Sequence, residues 1–242
     1  MKNLLKIAVI ATFGASPLAA QSMGGFQAGS VALEYETYDD GDGFNVTWID
    51  ASADLAYGLS DQFGVQLGLG YMKEIDSSDP FLDFRTITGV ELHGFYDVTA
   101  EIRAGVMYAF DTYNDGDSFY GIEGIYLGGP IRVEGRYGVY QSDFEDVSLF
   151  EVNGAYDFGS GFSILGSFQN LDYGDVFGHY RLLALGASYD VTDALTVYGK
   201  YGWNENDFGF GDVYNGTNIT LGVKASFGGS AADKMFTYDP FF

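Results

Sequence analysis

From Phe26 to Phe227 the chain alternates between apolar and polar or small residues in twelve segments. They run at about 26–37, 46–58, 62–73, 83–97, 100–111, 118–127, 130–140, 147–157, 161–171, 178–190, 195–204 and 214–227. A period of two puts successive side chains on opposite faces, which is the signature of a β-strand with two different surroundings. Each segment reaches the roughly 9–11 residues that a tilted strand needs to cross a bilayer.

The connections fall into two classes. Five are short, and each follows a tyrosine: Tyr57, Tyr96, Tyr126, Tyr156 and Tyr189. The other six, near 38–45, 74–82, 112–117, 141–146, 172–177 and 205–213, are longer and acidic. Strict alternation of short turns and long loops is the pattern of an up-and-down transmembrane barrel, with short periplasmic turns and long external loops. The pattern therefore predicts an all-β fold: a transmembrane up-and-down antiparallel β-barrel of about 12 strands.

The two faces differ in chemistry. On one strand Ile102, Ala104, Val106, Tyr108 and Phe110 oppose Glu101, Arg103, Gly105, Met107 and Ala109. On another, Ile131, Val133, Gly135, Tyr137 and Val139 oppose Arg132, Glu134, Arg136, Gly138 and Tyr140. Charges keep to one face. In a membrane barrel that face is the lumen and the apolar face meets lipid; in a soluble barrel the assignment is reversed.

Composition favours the membrane. Aromatics make up 17% of the chain, with 19 Tyr and 21 Phe, alongside 35 Gly and 4 Pro, and this suits a barrel with aromatic belts at both interfaces. Residues 1–22 read as an export signal: Lys2 and Lys6, an apolar stretch from Ile7 to Phe13, and the small-x-small site Ala20-Gln21-Ser22. This divides the chain into a signal peptide (1–22), a barrel (23–227) and a C-terminal tail (228–242). With no Cys, thiol catalysis, disulfides and Cys-ligated metals are excluded. A net charge of -23 excludes nucleic acid as a partner, since binding there rests on neutralising phosphates.

The last segment carries a resemblance. Thr220, Gly222, Ala225 and Phe227 resemble the C-terminal assembly signal of Gram-negative outer-membrane proteins, in which a polar residue, a glycine and spaced apolar residues precede an aromatic. Together with the export signal and the hairpins, the chain resembles the porin-like outer-membrane barrels over nearly its whole mature length. This implies the bacterial outer membrane and contact with its lipid. In that family the aromatic usually ends the chain, whereas here GGSAADKMFTYDPFF follows it. The tail is a disordered extension, a segment folded into the lumen, or the true last strand; Pro240 and Gly228-Gly229 argue against the last.

Candidate chemistry is sparse. No HExxH, GxSxG or P-loop pattern occurs, so no catalytic site and no cofactor is expected. The two histidines, His93 and His179, fall at opposite ends of their hairpins and read as solvated or structural residues. A lipid hydrolase would need a serine beside one of them, and His179 has none nearby in its strand. The loop acids Asp39, Asp40, Asp42, Asp111, Asp115 and Asp117 match no complete calcium loop. They read as solvated turns with a diffuse attraction for divalent cations.

The lumen face holds the strongest constellation. Arg85, Arg103, Arg132, Arg136, Lys200 and Lys224 share it with Glu34, Glu36, Asp50, Asp54, Glu91, Glu101, Glu123, Glu134 and Glu151. Centring the 141–146 loop pairs Arg136 with Glu151 and Glu134 with Asn153. The residues expected to line the narrowest part are Arg103, Arg132, Arg136, Glu91, Glu123, Glu134 and Glu151. They form either a constriction for small hydrophilic solutes, cation-preferring through excess acid, or a salt-bridged filling. The small lumen residues Gly64, Gly68, Gly70, Gly105, Ala109 and Gly138 leave space, which favours a narrow channel. The alternative class is a non-conducting barrel whose acidic loops serve adhesion, cation bridging or structure.

Overall fold

The computed structural model describes residues 25–41, 43–78, 86–112, 118–141, 146–174, 178–207 and 213–237. Residues 1–22, Arg85, Asp42, Asp115 and Asp117 lie outside the described residues.

Twelve antiparallel strands close into one barrel. They are β1 (Gly25–Asp39), β2 (Asn45–Gly58), β3 (Phe63–Ser77), β4 (Thr86–Asp97), β5 (Ile102–Asp111), β6 (Ser118–Gly128), β7 (Ile131–Gln141), β8 (Val147–Asp157), β9 (Phe162–Asp172), β10 (His179–Thr192), β11 (Leu195–Asp207) and β12 (Val213–Phe227). Each pairs with its neighbours in sequence, and β1 pairs with β12 from Gly29–Phe227 to Asp39–Thr217, so no edge is left open. Phe227 closes this seam: its ring stacks on Phe26 at 5.7 Å and lies where a Cβ on Gly29 would fall. The register expected for the fourth hairpin is present, with Arg136 opposite Glu151 and Glu134 opposite Asn153.

The turns form for local reasons. Hydroxyls of Ser60, Thr99 and Thr192 accept backbone N–H groups two or three residues on, and Asp157 accepts the Gly159 N–H. The Thr99 turn corrects one expectation. Glu101 does not face the lumen but sits in this exposed turn, because β5 begins at Ile102.

The barrel is inverted relative to a soluble one. Val106 is 61% exposed, Ile122 62% and Leu185 55%, while Glu91, Glu123, Glu134, Glu151, Arg103 and Arg136 are buried. These apolar side chains alternate with the buried polar ones and so ring the outer surface. A band of this extent in water would be far larger than the few hundred Å² that soluble proteins expose. Lipid is the solvent it fits. Exposed Tyr57, Tyr126, Tyr156 and Tyr189 mark the short-turn end, and Tyr71, Tyr108, Tyr120, Tyr137, Tyr201 and Trp203 lie toward the long loops. These are the two aromatic belts of a membrane barrel.

Past Phe227 the chain turns inward. Gly228 (φ 106°) and Gly229 (φ 61°) adopt left-handed conformations, and a Cβ on Gly228 would lie 2.4 Å from the Gln27 carbonyl oxygen, so the reversal requires glycine here. One 3₁₀ segment, Gly229–Lys234, then leads to Met235 and Phe236, both buried. As far as Thr237 the tail is thus the lumen-folded alternative.

Candidate functional site: a charged lumen that clamps the tail

The site is built by strands β1 to β8, whose inward residues meet the tail. Arg103 on β5 holds Asp97 in a two-point ion pair (2.8 and 3.1 Å), and its Nη1 donates to the Lys234 carbonyl at 2.8 Å. The same guanidinium lies over the Phe95 ring, 3.6 Å from its centroid. Arg132 on β7 pairs with Glu134 at 2.8 Å and donates to the carbonyls of Asp233 (3.2 Å) and Met235 (2.9 Å). Arg136 pairs with Glu151 across to β8 at 3.0 Å and donates to the Thr237 carbonyl, also at 3.0 Å. Glu134 accepts both the backbone N–H and the hydroxyl of Thr237 at 2.8 Å.

Fully buried Gln66 on β3 completes the clamp. Its amide donates to the Phe236 carbonyl (2.8 Å) and accepts the Phe236 N–H (2.9 Å), while the same nitrogen also reaches Asp54 at 3.2 Å. Backbone groups from Asp233 to Thr237 are therefore read mainly through their carbonyls. Two apolar anchors add to this. Met235 packs on Ala28 and Ala56, and Phe236 packs on Phe95 and Ile125.

His93 belongs to the same cluster. Its Nδ1 lies 2.8 Å from Glu123 and its Nε2 3.2 Å from Glu91, and its ring stacks on Phe236 at 5.5 Å. His93 on β4 and Glu123 on β6 meet across β5, where Met107 stands opposite His93 and Gly105 stands opposite Glu123. A Cβ on Gly105 would lie 2.8 Å from the Glu123 carboxylate and 3.0 Å from Phe236. The missing side chain is the window through which the ion pair and the tail ring meet.

All seven residues singled out from the sequence, Arg103, Arg132, Arg136, Glu91, Glu123, Glu134 and Glu151, lie on the inward face. Six are buried, and the Arg132 side chain keeps 27% exposure. The structure brings them together around the tail. The expectation that small residues leave open space is corrected at three positions. Phe95 stands over Gly64, Glu123 and Phe236 over Gly105, and Phe119 over Gly138. Gly64 and Gly138 make room for rings from neighbouring strands, and Gly105 makes room for the Glu123 carboxylate and the tail ring of Phe236.

Sequence reasoning missed Gln66 and took His93 as a bland residue. For His93 the signal was present in its shared parity with Glu91 and Glu123; for Gln66 there was none, since a lone amide on a lumen face is ordinary. A third group also appears only in three dimensions. Ligand atoms of Glu34, Glu36 and Asp50, on β1 and β2 toward the long loops, lie within 4.8 Å of one another. Tyr198 donates to Glu34 and Asn218 to Glu36. The loop acids Asp39 and Asp40 accept the N–H groups of Gly41 and Phe44 and so shape their own turn. His179 sits at the long-loop end with Glu205 (3.0 Å) and Asp207 (3.8 Å), far along the barrel from His93 and with acids rather than a serine as partners.

Comparison with known proteins places the fold. No family model and no curated protein matches the chain. Among solved structures it is similar to an outer-membrane channel of the COG4313 group from Pseudomonas putida F1, with a TM-score of 0.60 and 14% identity over 88% of this chain and 99% of that one. It is similar also to the NanC porin (TM-score 0.59, 11% identity, 81% and 98% covered). A third is the KdgM porin in complex with disordered oligogalacturonate (0.57, 14%, 82% and 99%). At such identities the likeness is one of fold. The chain has the closed barrel fold that these outer-membrane porins and channels share.

Proposed function

We propose that the protein is a porin-like channel for passive diffusion of small hydrophilic solutes, with a preference for cations. Residues 1–22 direct export, the short turns face the periplasm and the long acidic loops face outward. The observation that carries the reading is the inverted barrel with a charged interior. Burying carboxylates and guanidiniums costs free energy, and a barrel needing only to be filled could be filled by apolar side chains. Fold similarity to porins and channels supports the same class. No enzymatic step is proposed: among the described residues the partners of both histidines are carboxylates.

The cation preference rests on Glu34, Glu36 and Asp50, which concentrate negative charge in the outer half of the lumen, and on the acidic loops that precede them. Arg103, Arg132 and Arg136 do not reverse it, because each guanidinium is matched by a wall carboxylate. Those three arginines, with Glu91, Glu123, Glu134 and Glu151, line the narrowest part. Reversal potentials in a salt gradient across a planar bilayer test this. A cation-selective potential that weakens in a Glu34→Gln, Glu36→Gln, Asp50→Asn variant supports the reading, and an anion-selective potential overturns the preference. A second reading, a non-conducting barrel with adhesion or cation-bridging loops, is favoured by the rings and the tail that occupy the lumen, and it predicts a silent bilayer.

A further inference from the structure

Among the described residues, the tail beyond Phe227 adds nothing to the strand ladder. Its bonds to the barrel are made by side chains, and the β1–β12 seam is complete without it. What the tail occupies is the charged lumen itself. We propose that residues 229–237 form a displaceable plug that holds the channel in a low-conducting state and opens it on withdrawal; this regulation of the lumen rests on the channel reading above.

Three observations carry the proposal beyond a mere filling. First, the receptor remains satisfied when the plug leaves. Arg103 keeps Asp97, Arg132 keeps Glu134, Arg136 keeps Glu151 and Gln66 keeps Asp54. No buried charge is orphaned, which is the event that would make departure prohibitive. Secondly, the plug has few apolar anchors. Met235 and Phe236 are its buried apolar side chains among the described residues, and the 3₁₀ segment before them packs small residues, Ala231 and Ala232, on the wall.

Thirdly, the segment is hinged. Gly228 and Gly229, both at positive φ, join it to β12 at the short-turn rim, where the backbone can swing without disturbing a hydrogen-bonded pair. Recognition through backbone carbonyls also defines what competes. Arg103, Arg132 and Arg136 can donate to any array of oxygen acceptors of similar reach, so a permeating solute rich in such oxygens meets the plug at its own binding groups. Two discrete arrangements, clamped and withdrawn, are thus available to one lumen.

Planar-bilayer recording of the full chain beside a chain ending at Phe227 tests this. The full chain is expected to rest at low conductance with brief openings, and the shortened chain to show at least a severalfold higher mean conductance. Equal conductance in the two overturns the plug while leaving the channel standing; silence in both overturns the channel reading and the plug with it. Should the shortened chain fail to assemble, the full-length Met235→Gln, Phe236→Gln variant replaces it, with the same expected gain. Trypsin supplies a readout without conductance. Lys234 in the folded full chain should resist cleavage and become cleavable in that variant, as read by mass spectrometry. Cleavage at Lys234 as fast in the folded full chain as in the variant overturns the plug.

Discussion

At the scale of single residues, Gly105 decides more than any charged side chain near it. A Cβ there would collide with Glu123 and press on Phe236, parting the His93–Glu123 pair from the tail ring stacked above it. Gly105→Leu is therefore expected to lower unfolding stability by about 2 kcal/mol or more and to release the tail. Denaturant unfolding in detergent, with trypsin cleavage at Lys234 as the second readout, checks both parts. The Arg136–Glu151 pair behaves differently. Removing Arg136 alone leaves a buried carboxylate uncompensated, at a cost of about 3–5 kcal/mol, whereas replacing both by apolar residues of similar volume should restore much of the loss. Unfolding of Arg136→Met beside Arg136→Met, Glu151→Leu measures the difference, and equal stabilities would refute it.

At the scale of elements, the tail and the strands answer to different balances. A strand is held by a ladder on both sides. The tail is held by eight hydrogen bonds among the described residues, worth roughly 1 kcal/mol each, and two buried apolar side chains, worth roughly 2 kcal/mol each. Ordering residues 229–237 costs roughly 1–2 kcal/mol per residue, a sum of the same size. Docking is close to balanced, so the element is separable from the fold that receives it. The chain ending at Phe227 should accordingly keep its β circular-dichroism spectrum and its compact migration on unheated gels. Loss of either would mean that the tail is part of the scaffold.

At the scale of the molecule, the inverted surface makes a prediction that a soluble barrel would fail. Val106→Arg places a charge in the middle of the lipid-facing band, where it should cost about 2–4 kcal/mol in lipid vesicles. Asp61→Arg, in an exposed short turn, should change stability by no more than about 0.5 kcal/mol. Reversible unfolding from vesicles compares the two, and a neutral Val106→Arg would remove the membrane assignment.

What the chain determined by itself was everything that depends on local periodicity. The twelve strands, the short and long connections, the inward parity of seven charged residues and the Arg136–Glu151 register follow from a period of two and from turn chemistry. Each of these is set by residues a few positions apart. Only the tertiary structure decided what the lumen contains. Gly64, Gly105 and Gly138 read as open space along a strand, yet rings from neighbouring strands fill it at Gly64 and Gly138, and the Glu123 carboxylate and the tail ring of Phe236 fill it at Gly105. His93 and Glu123 meet across an intervening strand, and Gln66 finds its partners 170 positions away in the tail. The tail obeys no alternation and has no neighbour in sequence to pair with. Its place is set by the interior that the closed barrel creates, and that interior exists only after β1 has met β12.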